Sequence, residues 1–317
     1  MATISYPFRT EDLLQISTTL YEPKQIIPSV RNIFPVNRSF TPGLSSFGYD
    51  WYKRKGQASV TANFPKAGDV RKVGEDMGRT TLIPFHISGM FEVGMGERQA
   101  MDAQRTLGKG AYFDLAIKRA EAVRRYIDEQ ENDAFYKGVS ALNIKGLFNW
   151  SDTEGSITPT AVAGASVAAK KWSAKTGESI LSDLITAKKA ASMNGLYNAD
   201  TLLLSQNSYI ELFKPYSTTA PIPIMDRVAG LFPNIQVIRE CAKDYNGVEP
   251  TYDSNAGTEI FVVLENNSQV IEHNVIDDLT ILPGVYDEFQ TFQQVLTMKV
   301  GAPAVRFPDA IKIYRDI

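Results

Sequence analysis

One cysteine, Cys241, and two histidines, His86 and His273, are all that 317 residues hold of thiol and imidazole chemistry. A single cysteine excludes an internal disulfide and any cysteine-clustered zinc site, and it suits a chain that folds in a reducing cytoplasm. Cys241 reads as a small buried residue, because a catalytic thiolate needs a histidine beside it and only two exist. Each histidine reads as structural rather than as a ligand. No run of eighteen apolar residues occurs, and the N-terminal stretch lacks an apolar core of signal-peptide type, which disfavours membrane spanning and secretion alike. There is no excess of positive charge either. Lys and Arg number 33 against 36 Asp and Glu, a net charge of −3, so nothing marks the whole chain for gripping nucleic acid through a basic surface.

Catalytic signatures are missing as well. The chain has no Gly-x-Ser-x-Gly elbow, no phosphate loop and no His-Glu-x-x-His pattern. Gly94-Met95-Gly96-Glu97-Arg98-Gln99 opens like a dinucleotide fingerprint, but Gln99 holds the place of the third small residue and a hairpin pattern precedes it. Those glycines read instead as an elbow between a hairpin and a helix. The sequence therefore assigns no catalytic residue, no cofactor and no metal.

What is present is a long helical pattern. From about 111 to 137 the apolar residues Phe113, Ile117, Ala120, Val123 and Ile127 recur at steps of three and four, which predicts one apolar stripe. Asp114 with Lys118, and Glu121 with Arg125, sit four apart with the acid first, an order that supports a helix. Lys137 and Gly138 form a C-terminal stop. Glu129, Glu131 and Asp133 cluster near that end and read as a solvated or interface face. A shorter helical piece is expected over 101–105, broken at Gly108-Lys109-Gly110.

On either side of that helix the pattern is extended. Residues 1–45 are rich in X-Pro steps, among them Ile27-Pro28, Phe34-Pro35 and Thr41-Pro42, which push the backbone toward an extended arm. Strand-like runs at 49–55, 58–64 and 80–88 surround a polar tip at 65–76 and predict a hairpin. After Trp150 the chain alternates: an amphipathic helix over 178–193 stopped by Asn194-Gly195, an apolar strand at 201–205, and a helix over 208–214 with Glu211 placed for a capping box. Buried strands are expected at 235–238 and 259–264. Strands are also expected at 291–300 and, after Gly301-Ala302-Pro303, at 304–314.

The passage Phe135-Tyr136-Lys137-Gly138 through Ala141-Leu142-Asn143-Ile144-Lys145-Gly146-Leu147 to Phe148-Asn149 resembles the turn that follows the long helix in tailed-bacteriophage major capsid proteins. These share the Hong Kong 97-type shell fold with encapsulin nanocompartments. Leu202-Leu203-Leu204-Ser205 with Tyr209 is similar to a passage of their axial domain. Arg306-Phe307-Pro308-Asp309-Ala310-Ile311 resembles their terminal segment, with Phe307 as a departure that touches the register of the last strand.

The resemblance implies an α+β fold in five parts: an N-terminal arm (1–45), an extended hairpin (46–95), a peripheral domain with a spine helix (96–160), an axial domain (161–285) and return strands (286–317). It implies a shell protein forming hexamers and pentamers of an icosahedral phage head around double-stranded DNA. A scaffolding protein, a portal and a decoration protein are the partners it implies, and the virion its location. Lys53, Arg54, Lys55, Arg71, Lys72 and Arg79 of the hairpin would then meet acidic surface on a neighbour, with Asp128 and Glu129 of the helix as further contact residues. An encapsulin-like compartment and a soluble α/β enzyme are the alternatives.

Overall fold

The computed structural model describes residues 28–55, 74–107, 115–152, 155–217, 221–242, 259–288, 290–315 and 317. The distal arm (1–27), the hairpin tip (56–73, with Arg71 and Lys72), the glycine break at 108–110, and Phe113 and Asp114 lie outside these residues. The chain divides into two compact units, one built from residues 87–129 and 279–298, the other from 28–86, 130–278 and 299–317.

In the first unit the strand Pro84–Val93 leads into a helix, Met95–Leu107. That helix begins six residues before the expected one. Glu97 explains the early start, since its carboxylate accepts the Gly94 N–H at 3.0 Å and takes Arg119 at 2.6 Å, and acids are favoured in a first helical turn. The glycines are therefore the helix start and not a free elbow. The long helix, Leu115–Lys137, carries its apolar stripe less fully than its periodicity suggests. Ile127 is 2% exposed but Ile117 is 56% exposed. Burial sets in where the helix meets a strand: a Cβ at Gly89 would lie 2.6 Å from Val123, so the missing side chain allows the close approach. Lys118 pairs with Glu121 three residues on, at 3.1 Å. Phe91 packs against Phe292 of the strand Phe292–Gly301 at 6.2 Å between ring centroids, and that strand is antiparallel to Val285–Tyr286.

The second unit is centred on a five-stranded sheet in the order Thr160–Ala161, Ile311–Arg315, Ile260–Leu264, Thr201–Leu204, Asn234–Val237. Ile260–Leu264 runs antiparallel to both of its neighbours, with Val262 opposite Ile313 and opposite Leu203. Thr201–Leu204 and Ile260–Leu264 are buried at every position, which is why they read as unbroken apolar runs rather than as alternation. The helix Gly177–Ser192 covers this sheet with Ile180, Leu184, Ala187 and Ala191, joined by Trp172, Phe232 and Val228 in one core. Thr176 caps that helix, and Met193 and Asn194 both take left-handed backbone at its end.

Three expectations for this unit change. The strand expected as buried at 235–238 is Asn234–Val237, which lies at the edge of the sheet and is mostly exposed. The helix after Thr201–Leu204 spans Gln206–Glu211, not 208–214, because Ser205 is its N-cap and accepts the Ser208 N–H. Glu211 stands at the last position, where it pairs with Lys214 at 2.6 Å. The final strand is split into Ala304–Val305 and Ile311–Arg315 by the helical turn Pro308–Ala310; Pro308 has no N–H to continue a ladder.

The turn closing the long helix depends on two facing glycines. Gly138 has φ +77°, and a Cβ there would collide with the Ile144 carbonyl, while one on Gly146 would collide with the Gly138 nitrogen. Asn149 ties the turn shut, accepting the Gly146 N–H at 2.7 Å and donating at 3.0 Å to the Lys137 carbonyl that the helix leaves open. Gly195 also has positive φ, +92°, but nothing lies within 4 Å of a Cβ there. Gly138→Ala is therefore expected to cost well over 2 kcal/mol and Gly195→Ala only about 1 kcal/mol, as read from denaturant midpoints of the unassembled chain; equal costs would refute the facing-glycine account.

Candidate functional site

The hairpin that the sequence marks as a contact element consists of Phe47–Lys55 and Gly74–Leu82, paired antiparallel from Phe47 opposite Leu82 to Lys55 opposite Gly74. Its base is fastened. Phe47 and Leu82 are buried, Phe40 stacks at 4.9 Å on Phe47, and Gly301 leaves room for the Phe47 ring. Two register pairs further out, the Tyr49 hydroxyl donates to the Val305 carbonyl at 2.7 Å, and Thr80 donates to the Asp152 carboxylate at 3.3 Å. Burial, with Asp152 nearby, pushes the Tyr49 phenol far above its usual pKa. Beyond this grip the returning strand is exposed from Gly74 to Met77.

The eight candidate contact residues fall into three groups. Arg79 is on the hairpin and already paired with Asp50, directly opposite, at 2.6 Å with both side chains exposed. Lys53 and Arg54 stand opposite Asp76 and Glu75 in the register, and Lys55 opposite Gly74. The hairpin thus carries acids of its own for three of its cations, which the run of basic residues alone does not reveal. Arg71 and Lys72 lie outside the described residues. Asp128 and Glu129 sit half-buried on the long helix.

Sequence reasoning missed a buried polar cluster at the end of that helix. Glu131, read as part of a solvated acidic face, is 3% exposed. One of its oxygens lies 2.7 Å from His273 Nε2, and both lie 2.9 Å from Arg31 Nε. Arg31 reaches on to Asp278 at 3.0 Å, and Arg38 meets the same carboxylate at 3.2 Å. His273, taken to stand alone, is therefore a structural residue with a definite partner. Next to Glu131, the Asn132 carbonyl oxygen accepts the Ser29 and Val30 N–H groups at 3.1 Å each, which caps the short helix Val30–Ile33, and its amide donates to Glu240. Val36-Asn37 then runs parallel to His273-Asn274. The proximal arm is thereby fixed to its own chain, with Phe34 packed at 4.7 Å on Phe135. A signal did exist: Glu131 lies four residues after buried Ile127 and four before buried Phe135, at a stripe position where a charge needs a partner.

The two buried carboxyls differ in sign. Burial alone would raise the Glu131 pKa, but His273 and Arg31 outweigh it and hold the group below its ordinary value of 4.5. Glu240 is raised, chiefly by burial and then by Asp133. A depressed acid stabilises the fold above its unfolded pKa and loses that contribution as pH falls through its folded value; a raised acid is penalised once it ionises. Glu131→Gln should therefore cost roughly 3–5 kcal/mol at neutral pH, and the deficit should shrink below about pH 4.5. Glu240→Gln keeps an acceptor for Asn132 and should be neutral or stabilising at pH 7. Urea titrations across pH check both, and equal losses at pH 7 would refute the assignment.

Among the described residues no group of three or more His, Cys, Asp or Glu side chains is placed to hold a metal, and no helix is long and apolar enough to cross a membrane. Cys241 is 1% exposed and burial raises its thiol pKa well above the ordinary value.

Nothing among curated protein sequences matches the chain. Solved structures do. The capsid of Myoviridae phage XM1 is similar at 14% identity over 98% of this chain and 99% of that one, with a TM-score of 0.78. Mycobacterium phage Bobi gives a TM-score of 0.63 at 14% identity over 99% and 98%. A virus-like particle from Pyrococcus furiosus gives 0.53 at 17% identity over 89% and 90%. These likenesses show the α+β capsid fold, and the family model that matches residues 56–317 is the major capsid protein. Arm, hairpin, long helix and sheet unit are accordingly parts of a shell subunit, and this chain belongs to the major capsid protein family.

Proposed function

We propose that this chain forms the icosahedral head of a tailed phage as hexamers and pentamers, and that the head encloses double-stranded DNA without sequence-specific contact. The observation that carries this reading is the family match over residues 56–317, and a hairpin gripped at its base, with its returning strand exposed from Gly74 to Met77, supports it. The net charge of −3 fits a container that does not bind its contents electrostatically. Apolar burial between copies supplies most of the affinity. Lys53, Arg54, Lys55, Arg71, Lys72 and Arg79, with Asp128 and Glu129, set the register between neighbours.

The five-part division at 45, 95, 160 and 285 belongs to this proposal, as do a scaffolding protein, a portal and a decoration protein. Assembly needs no catalytic step within the subunit. The second reading, a cargo compartment on the same fold, has less support, since the likeness to the virus-like particle from Pyrococcus furiosus, at a TM-score of 0.53, is weaker than those to the phage structures.

Electron microscopy of the purified chain, alone and from its native particle, should show five- and six-membered rings or closed shells, with nuclease-protected DNA inside the native particles. Protein cargo in place of DNA would favour the compartment. A particle of one chain under all conditions would end the shell reading.

A further inference from the structure

Tyr52 and Met77 are opposite each other in the hairpin register and so share a face. They are 60% and 78% exposed. On that face the ion pair between Asp50 and Arg79 precedes them, and the register sets Arg54 opposite Glu75 beyond them. The Asp50–Arg79 charges are thus answered within the hairpin, and beside them the face offers a partner an apolar pair with one phenolic hydroxyl. A two-stranded ribbon that presents such a pair gains stability only when the pair is covered.

A recess on the same chain has a mixed wall of about the right size. Leu82, Ile83, Leu142, Ile144, Trp150 and Ala302 form the apolar part of a volume of about 180 Å³, and Thr80, Thr81, Asn143, Lys145, Ser151 and Asp152 form the polar part. A cavity of about 150 Å³ admits a benzene ring, so the volume suits one aromatic side chain that carries a polar group. Trp150 is 3% exposed, and its indole N–H has no hydrogen-bond partner among the described residues. A water or an acceptor from another copy satisfies such a donor. Ile83 and Leu142 are 59% and 55% exposed. Tyr52 does not fill this recess within its own chain, because it is exposed there.

We propose that Tyr52 of one copy enters the Trp150 recess of a second copy, its hydroxyl accepting the indole N–H, while Met77 covers Ile83 and Leu142. Used in one direction around successive copies, a projection and a recess make a heterologous contact, which closes into a ring when its rotation closes. This rests on the shell reading and assigns that shell one of its contacts between copies.

The test uses the full chain. Cys241 is buried, so cysteines introduced by Met77→Cys and Leu142→Cys are the reactive ones. Oxidised particles of the double variant should give a ladder of disulfide-linked chains on a denaturing gel, and each single variant none. Shells without that ladder overturn the recess contact and leave the shell reading standing; a wild-type chain that forms neither ring nor shell overturns both. A second arm keeps Met77 and Leu142. Tyr52→Ala should raise the concentration needed for half-assembly at least tenfold while leaving thermal unfolding of the unassembled chain unchanged, and Arg79→Ala should raise it less than threefold. The reverse ranking, or no change with Tyr52→Ala, overturns the proposal.

Discussion

A carboxylate taken out of water must be answered, and Glu131 is answered from two distant stretches of chain. Arg31 lies 100 residues before it and His273 142 after it. That requirement holds the proximal arm, the end of the long helix and the strand Ile271–Ile281 in one arrangement, because displacing any of them leaves a buried charge with too few partners. Asn132 adds the backbone side of the same fastening by capping the short helix of the arm. Apolar packing supplies the driving force around it, through Phe34, Phe135 and Tyr136, all buried. Packing alone tolerates sliding; the ion pairs and the cap set the position.

The hairpin shows the opposite economy. Its base is gripped by Tyr49, Thr80 and Asp152, and past that grip the register sets residues of opposite charge across from each other, with Asp50 and Arg79 paired. An element built this way keeps its shape without leaning on its own chain, and its apolar face stays available to another copy. A shell subunit needs both properties. One part must be rigid enough to define angles, and another must project far enough to meet a neighbour.

Much of this was legible from residue patterns. The long helix and its glycine stop, the buried strands around Leu203 and Val262, and the amphipathic helix ending at Ser192 all follow from periodicity and punctuation, because the signal for each lies within its own stretch of sequence. The Gly138 to Asn149 passage pointed to the family for a physical reason: a turn in which two glycine backbones touch accepts few other sequences. The Glu131 cluster was illegible because its partners are supplied by tertiary contacts across a hundred residues or more, and a lone acid on a charged helix resembles its solvated neighbours. The helix starts at Met95 and Gln206 were misplaced for a local reason. A cap is decided by which side chain reaches the free N–H groups, Glu97 in one case and Ser205 in the other, and several nearby residues were chemically eligible. The Trp150 recess was invisible for the same reason as Glu131, since its walls come from segments 80–83, 142–152 and 302.

The strand Ile311–Arg315 lies inside the five-stranded sheet, hydrogen-bonded on one side to Ile260–Leu264 and on the other to Thr160–Ala161. Until the ribosome has delivered it, Ile260–Leu264 has a bare edge, and Val262, Val263 and Leu264 lack half of their backbone partners. The sheet therefore closes after synthesis has passed residue 315, and its long-range pairings make that closure slow relative to helix formation. A nascent chain is in this sense unready for its neighbours while still being made, which delays contact between copies until each has a finished sheet to present.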